Sequence, residues 1–210
     1  MPKKLLNFAA AQGLPFSPAQ AEKLLAYARC VWAKKDTLNL TSVSDFDEVI
    51  TRHVCDGLAA AAYIHQQGRA CTELADAGAG CGYIGFALAT AFPSAQITLL
   101  ESLEKRCQFM NWAALKAGFA NVHVQNVRLG QAKPGPFDVV TERAMGPLET
   151  VLPLCTATLK PGGIFLAFQS EIARPQPLCA GVHAAQPHCY TLPGETKPRY
   201  LAVYQKNENE

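Results

Sequence analysis

From Cys71 onward, short apolar runs of four to six residues alternate with helical stretches. Strands are predicted at 72–77, 96–100, 121–125, 137–141 and 164–168, with helices at 82–92, 103–117 and 147–159 between them. Few folds accept that order. A strand, a helix and a second strand close as a right-handed crossover, so the pattern predicts an α/β fold with a mostly parallel sheet and helices on both faces. Lys160-Pro161-Gly162-Gly163 reads as a turn ahead of the last of these strands.

The residues before Cys71 carry no strand signal. Ser17 and Pro18 form a cap and first-turn pair, and Ala21, Leu24, Leu25, Ala28, Val31 and Trp32 then mark the apolar face of a helix. A second helix is predicted to begin near Ser44 or Asp45, with Phe46, Val49, Ile50, Val54 and Leu58 on its inner face. The expected organisation is a helical extension over 1–68 and an α/β core over 69–210, packed as one unit. In the last forty residues Pro175, Pro177, Pro187, Pro193 and Pro198 break the rhythm. Two strands remain there, at 189–192 and 200–204, and are expected to form a hairpin at the sheet edge, followed by a polar tail that frays.

A chain of 210 residues with 49% hydrophobic content can bury a sizeable core. Its formal charge of +2 is too mild to mark a nucleic-acid partner by charge alone. No apolar run approaches the roughly 18 residues that cross a bilayer, and residues 1–13 read as an amphipathic helix ending at Gly13 rather than as a leader. The eight cysteines include no C-x-x-C pair, and several fall inside apolar periodic segments. Buried free thiols and a reducing, cytoplasmic setting are expected. Cys179, His183, His188 and Cys189 match no zinc spacing. A monomer with no metal and no membrane partner is expected.

Four glycines, Gly78, Gly80, Gly82 and Gly85, fall between the end of the first strand and the first turn of the helix after it. Such a loop lets a ligand lie against bare backbone and delivers it to a helix N-terminus, where N–H groups are free. Gly80-Cys81-Gly82-Tyr83-Ile84-Gly85 matches G-x-G-x-x-G, which admits a dinucleotide and nicotinamide oxidoreductase chemistry. Asp76, two residues ahead of Gly78, puts a carboxylate at the strand tip, where a cationic or amino-bearing ligand would meet it. Glu101 ends the next strand, where it could take ribose hydroxyls or cap the helix after Ser102.

With Glu101, this loop resembles the S-adenosylmethionine site of class I, Rossmann-like methyltransferases, and Phe137-Asp138-Val139-Val140 and Leu159-Lys160-Pro161-Gly162-Gly163 resemble the approaches to that fold's fourth and fifth strands. Asn39-Leu40-Thr41-Ser42 and Arg52-His53-Val54-Cys55-Asp56-Gly57-Leu58 resemble the N-terminal signatures of the bacterial RsmG (GidB) family, which methylates guanine N7 in 16S rRNA of the small ribosomal subunit. The resemblance runs through Leu100–Arg106, Asn121-Val122, Arg128 and Arg143-Ala144, and covers roughly residues 14 to 170.

What it implies is specific. Asp76, Gly78, Gly80, Gly82 and Tyr83 would surround the methionine and adenosine parts, Glu101 the ribose, and Leu129 and Gly130 the adenine. Arg143 would be the catalytic position, against cofactor and target; its alternative is an ion pair with Glu142 or Glu149. Arg52, Lys105, Arg106 and Arg128 would meet RNA, although Lys105 and Arg106 also read as a solvated helix face. Arg52 and Asp56, four residues apart, would form an ion pair that docks the helical extension over the cleft.

Three departures from the family stand out. Ala167-Phe168-Gln169-Ser170 replaces Ala-Leu-Lys-Gly, Glu142 replaces a common serine and sets a negative charge beside the expected pocket, and Tyr83-Ile84-Gly85 replaces Phe-Pro-Gly.

Overall fold

The computed structural model describes residues 1–173 and 176–209, so Pro175 lies outside the described residues, as does Glu210 at the end of the predicted fraying tail. Helix α1 (Pro2–Ala11) leads to α2 (Pro18–Leu38), whose start carries a capping box: the Ser17 hydroxyl accepts from Gln20 N, and Ser17 N donates to the Gln20 side chain at 2.8 Å. The second predicted helix starts at the Asp45 cap but is not uniform. Helix α3 (Phe46–Val49) passes into a π-helical turn (Ile50–Val54) and then α4 (Cys55–Gln66).

The alternating region follows as β1 (Glu73–Ala77), α5 (Tyr83–Ala91), β2 (Gln96–Glu101), α6 (Glu104–Lys116), β3 (Val122–Asn126), β4 (Phe137–Glu142), α7 (Leu148–Thr156) and β5 (Leu159–Gln169). These five strands pair in parallel in the order β3-β2-β1-β4-β5. The chain winds outward from β1 through β2 and β3, then returns to lay β4 on the other side of β1. That reversal opens a crevice at the carboxyl ends of β1 and β4, where ligands bind in sheets of this kind.

Two shorter-range expectations need correction. Lys160 to Gly163 is not a turn before a strand, because β5 runs through it. Phe137 pairs with Leu159 and Val139 with Ile164, so two steps along β4 face five along β5 and the excess bulges outward, with Gly162 at φ +70°. The two predicted C-terminal strands do pair as an antiparallel hairpin, His188 opposite Leu201 and Tyr190 opposite Arg199, within a wider arrangement. Strand β8 (Arg199–Lys206) inserts antiparallel against β5, and β6 (Val182–Ala184) and β7 (His188–Tyr190) share its other side. Strand β6 was too short and too closely flanked by prolines to show a period. The thiol expectation holds for five cysteines; Cys71 and Cys179 are half-buried and Cys189 is exposed, and all eight are free.

One apolar cluster extends from Leu5 to Val203 and joins α1, α2, α4, α5 and α6 to one face of the sheet, while a smaller one packs α7 on the other. The helical extension is therefore part of the core. The Tyr27 ring stacks on Phe86 at 4.0 Å between centroids, and its buried hydroxyl donates to the Cys81 carbonyl at 2.9 Å. Asn121 closes the far end of α5, its amide reaching the Ala89, Phe92 and Ala95 carbonyls.

Gly85 shows how tightly α5 lies on the sheet, since a Cβ there would sit 1.9 Å from Leu99 Cδ2 and 3.3 Å from Asp76 Cβ. Gly85→Ala is expected to cost about 1–3 kcal/mol through overpacking, seen as a lower urea midpoint at unchanged slope. An unchanged midpoint would mean that α5 can lift without cost.

Candidate functional site

The first turn of α5 begins at Gly82 (φ +96°), with no side chain capping it. Two acids shape the loop that leads there. Asp76, 2% exposed, accepts from Gly85 N at 3.0 Å and from the Thr141 hydroxyl at 3.0 Å, tying β1 to α5 and β4. Glu101 accepts from Gly80 N at 2.9 Å with one oxygen and from Leu103 N at 2.9 Å with the other, and Arg106 lies 3.6 Å away. The Glu101 carboxylate thus bonds the start of α6, as one reading expected, and also lines a cavity.

Three adjoining cavities occupy the crevice. The first, about 550 Å³, is lined by Asp76, Gly78, Gly80, Tyr83, Arg143 and the 40–42 segment, among others. The second, about 480 Å³, lies toward β2 and holds Glu101, Leu103, Arg128, Leu129 and Met145; Gly78, Arg106 and Ala144 belong to both. The third, about 270 Å³, lies toward β5 and β8 and takes in Phe168, Gln169 and Lys197.

Asp56 separates the first cavity from the third. It accepts from Arg143 Nη1 at 2.8 Å, from Arg199 Nη1 at 3.4 Å and from the Tyr190 hydroxyl at 2.7 Å, and is 1% exposed. Burial pushes its carboxyl above the ordinary range while the two arginines and the tyrosine pull it back. The expected Arg52–Asp56 pair does not form. The intervening π turn holds an extra residue per turn, so four-residue spacing no longer aligns them. Arg52 instead bonds Glu48 at 2.9 Å and approaches Glu195 at 3.6 Å. Arg143 likewise pairs with neither Glu142 nor Glu149.

His53 stacks on Tyr83 at 4.6 Å, and its pKa falls to about 4 through burial and then the Arg143, Arg199 and Arg52 charges. It is neutral at pH 7. Glu142 does not border the pocket as expected, because strand alternation sends Thr141 to the Asp76 face and Glu142 to the other, where it accepts from Met145 N. Burial first, and the Asp76 charge with it, raise its pKa to about 7.

Most of the sequence-predicted residues converge here, with three exceptions. Gly82 lines no cavity: its missing Cβ makes room for the Phe86 ring, 2.7 Å from where that atom would be. Gly130 (φ +91°) turns the chain beside Leu129 and faces Leu154. Lys105 stands exposed on α6, away from all three cavities, whereas its neighbour Arg106 borders two. Arg199 and Tyr190 were missed. Arg199 comes to the crevice because β8 runs antiparallel to β5, which sets its first residues beside Gln169. Among the described residues no group of three or more His, Cys, Asp or Glu side chains could hold a metal, and no helix is long and apolar enough to cross a membrane.

Known proteins resemble this chain in both sequence and fold. The family described as GidB, rRNA small subunit methyltransferase G, matches residues 20–182. Ribosomal RNA small subunit methyltransferase G of Aromatoleum aromaticum is 35% identical over 205 residues, covering 93% of this chain and 94% of the relative. The protein of the same name from Cellvibrio japonicus is 35% identical over 168 residues, covering 80% and 77%. Among solved structures, magnesium protoporphyrin IX methyltransferase from Synechocystis PCC 6803 with bound SAM superimposes with a TM-score of 0.61 at 12% identity, over 84% of this chain and 91% of that one. TrmN from Thermus thermophilus gives 0.55 at 22% identity, over 71% and 48%. Those two likenesses show the class I methyltransferase fold.

Two outcomes follow from the buried acids. In a double-mutant cycle of Asp56→Asn and Arg143→Gln, urea unfolding is expected to give a coupling of about 1–3 kcal/mol, and additive effects would mean that the pair contributes nothing to the fold. Glu142 keeps its proton in the folded protein up to about pH 7, whereas the unfolded chain releases it near 4.5. Its contribution to stability is therefore present below pH 4.5 and lost as pH rises through 7. The thermal midpoint of Glu142→Gln relative to the parent protein should rise between pH 5 and pH 8; a constant difference would contradict this.

Proposed function

The chain belongs to the GidB family of rRNA small subunit methyltransferases, and from that premise we propose that it transfers a methyl group from S-adenosylmethionine to N7 of one guanine in 16S rRNA, acting in the cytoplasm. The observation that carries the proposal is the crevice itself. A backbone-lined loop and two acids stand at the reversal point of the sheet, next to a cluster of arginines.

The residues fit the cofactor. Gly78 and Gly80 are both at positive φ (62° and 63°), and the place of a Cβ on Gly80 is open, with only the Gly78 carbonyl within 4.0 Å. A side chain at either position would demand a strained backbone and narrow the cavity. Glu101 keeps unused lone pairs for ribose hydroxyls, and Leu103, Leu129 and Met145 offer apolar edges to a planar base. Bound S-adenosylmethionine supplies an electrophilic sulfonium methyl.

The chain's own part in the reaction is alignment. Guanine N7 carries a lone pair and no proton, so no general base is needed, and neutral His53 is consistent with that. Asp56 holds Arg143 at the crevice wall through Nη1, leaving the other N–H donors of the guanidinium to orient the target nucleotide. Single-stranded or irregular RNA suits an open crevice, since the A-form major groove is too narrow for side chains. Arg52, Arg106 and Arg128 border the cavities where phosphates would pass. The G-x-G-x-x-G alternative, a nicotinamide oxidoreductase, gains nothing from family or geometry.

The test is to incubate the protein with methyl-labelled S-adenosylmethionine and small subunits lacking the modification, and then to map the label. Label on a single guanine N7 is expected; cofactor binding without transfer to RNA would refute the proposal. Glu101→Ala should weaken cofactor binding at least about tenfold by calorimetry, through loss of ribose contacts and of the bond that holds Gly80. Unchanged affinity would remove Glu101 from the site.

A further inference from the structure

Helix α6 carries apolar side chains where a solvated helix would carry polar ones. Leu103 at its cap is 50% exposed, Trp112 39% and Leu115 84%, three of the five large hydrophobic residues exposed among the described residues. The helix starts at the crevice, where Arg106 borders two cavities, and its 13 residues lead away from there. At 3.6 residues per turn, Lys105, Trp112 and Lys116 fall on one face, spread along a helix about 20 Å long.

Helix α2 packs beside α6 and adds to its charge. Together the two helices hold seven lysines and arginines against three acids, whereas the whole chain has a net charge of only +2. Each of those acids is already engaged. Glu22 faces Arg29 at 4.0 Å, Asp36 faces Lys35 at 2.7 Å, and Glu104 accepts from the Gln108 side chain at 3.0 Å. Among the described residues no carboxylate pairs with Lys23, Lys34, Lys105 or Lys116, and the last three are exposed. Lys34 Nζ reaches across from α2 to lie 5.8 Å from the centre of the Trp112 ring.

Unpaired lysines around an exposed indole suit single-stranded nucleic acid, because cations meet phosphates while the flat ring stacks with any base. Position points the same way. A strand whose target nucleotide sits in the crevice must leave it, and Arg106 joins the crevice to this face. We propose that the outer face of α2 and α6 is a second RNA-binding surface, on which rRNA flanking the target guanine stacks a base on Trp112 and sets phosphates against Lys34, Lys105 and Lys116. Lys105, which lies away from the cavities, thereby gains a place on the RNA path. The proposal rests on the rRNA substrate assigned above and adds a contact that the chemistry in the crevice does not require.

Trp32 and Trp112 are the two tryptophans of the chain, so in a Trp32→Phe protein the emission comes from Trp112 alone. Protein-free 16S rRNA is expected to quench it. In filter binding of the same RNA, Trp112→Leu should bind at least about fivefold more weakly, the lower end of what one stacked base contributes. The double variant Lys34→Gln, Lys116→Gln should flatten the dependence of log affinity on log salt by about 0.7 for each lysine. Affinity for S-adenosylmethionine and the thermal midpoint should stay close to the parent's in both variants, which separates a lost RNA contact from a damaged fold. Unquenched emission, unchanged RNA affinity in Trp112→Leu, or an unchanged salt dependence in the lysine variant would overturn the surface. Losses seen with intact small subunits but not with protein-free RNA would overturn it as well, by showing that the face takes a protein. Methyl transfer to guanine N7 by the parent protein would survive any of these results, whereas a parent protein that binds no RNA would overturn both readings.

Discussion

Asp56 ties together three parts of the chain that are far apart in sequence. It projects from the helical extension, takes a guanidinium from Arg143 just past β4, and takes a second guanidinium and a phenol from Arg199 and Tyr190 at the C-terminal strands. A lone buried carboxylate would cost several kcal/mol of desolvation, and only partners on every side make it tolerable. Each of the three parts therefore holds its position on condition that the other two are in place. The walls of the crevice are set chiefly by this contact: without it, the helical extension and the β7–β8 region would have apolar packing and the longer, more exposed Arg52–Glu195 approach to align them.

The two acids flanking the glycine loop act by the same logic on a smaller scale. Asp76 and Glu101 each spend a carboxylate oxygen on a backbone N–H at one end of the loop, Asp76 at Gly85 in the first turn of α5 and Glu101 at Gly80. A loop with so many glycines has a large conformational entropy in the unfolded chain and would otherwise be loose. With those bonds it is preorganised, and binding need not supply the ordering. The carboxylates shape the site as well as facing it, and a substitution at either would be felt in loop geometry as well as in ligand contacts.

The parallel core was legible because strands buried on both faces must be apolar along their length, and the helices between them must show a 3.6-residue period. The cofactor loop was legible for a different reason: positive φ at Gly78 and Gly80 leaves glycine as the residue without strain. What escaped was whatever depends on small shifts in backbone phase. One π turn moved Asp56 off the Arg52 face, and one step along β4 sent Glu142 to the far side of the sheet from Asp76. The π turn leaves no mark on composition or periodicity, and strand alternation tells which residues share a face only once the pairing of β4 with β1 is known.

By itself the sequence determined the α/β order, the loop, the acids at the tips of β1 and β2, and a family resemblance carried by motifs in sequence order, all local properties of short segments. Only the tertiary structure decided which charges meet. Arg199 reaches the crevice because β8 is antiparallel to β5, Arg143 turns to Asp56 rather than to its neighbours, and the Tyr83 hydroxyl ends without a partner among packed rings. Those outcomes are contacts between segments up to 143 residues apart, and such contacts are selected by the desolvation cost of burying a charge, which exists only once the chain has closed around it.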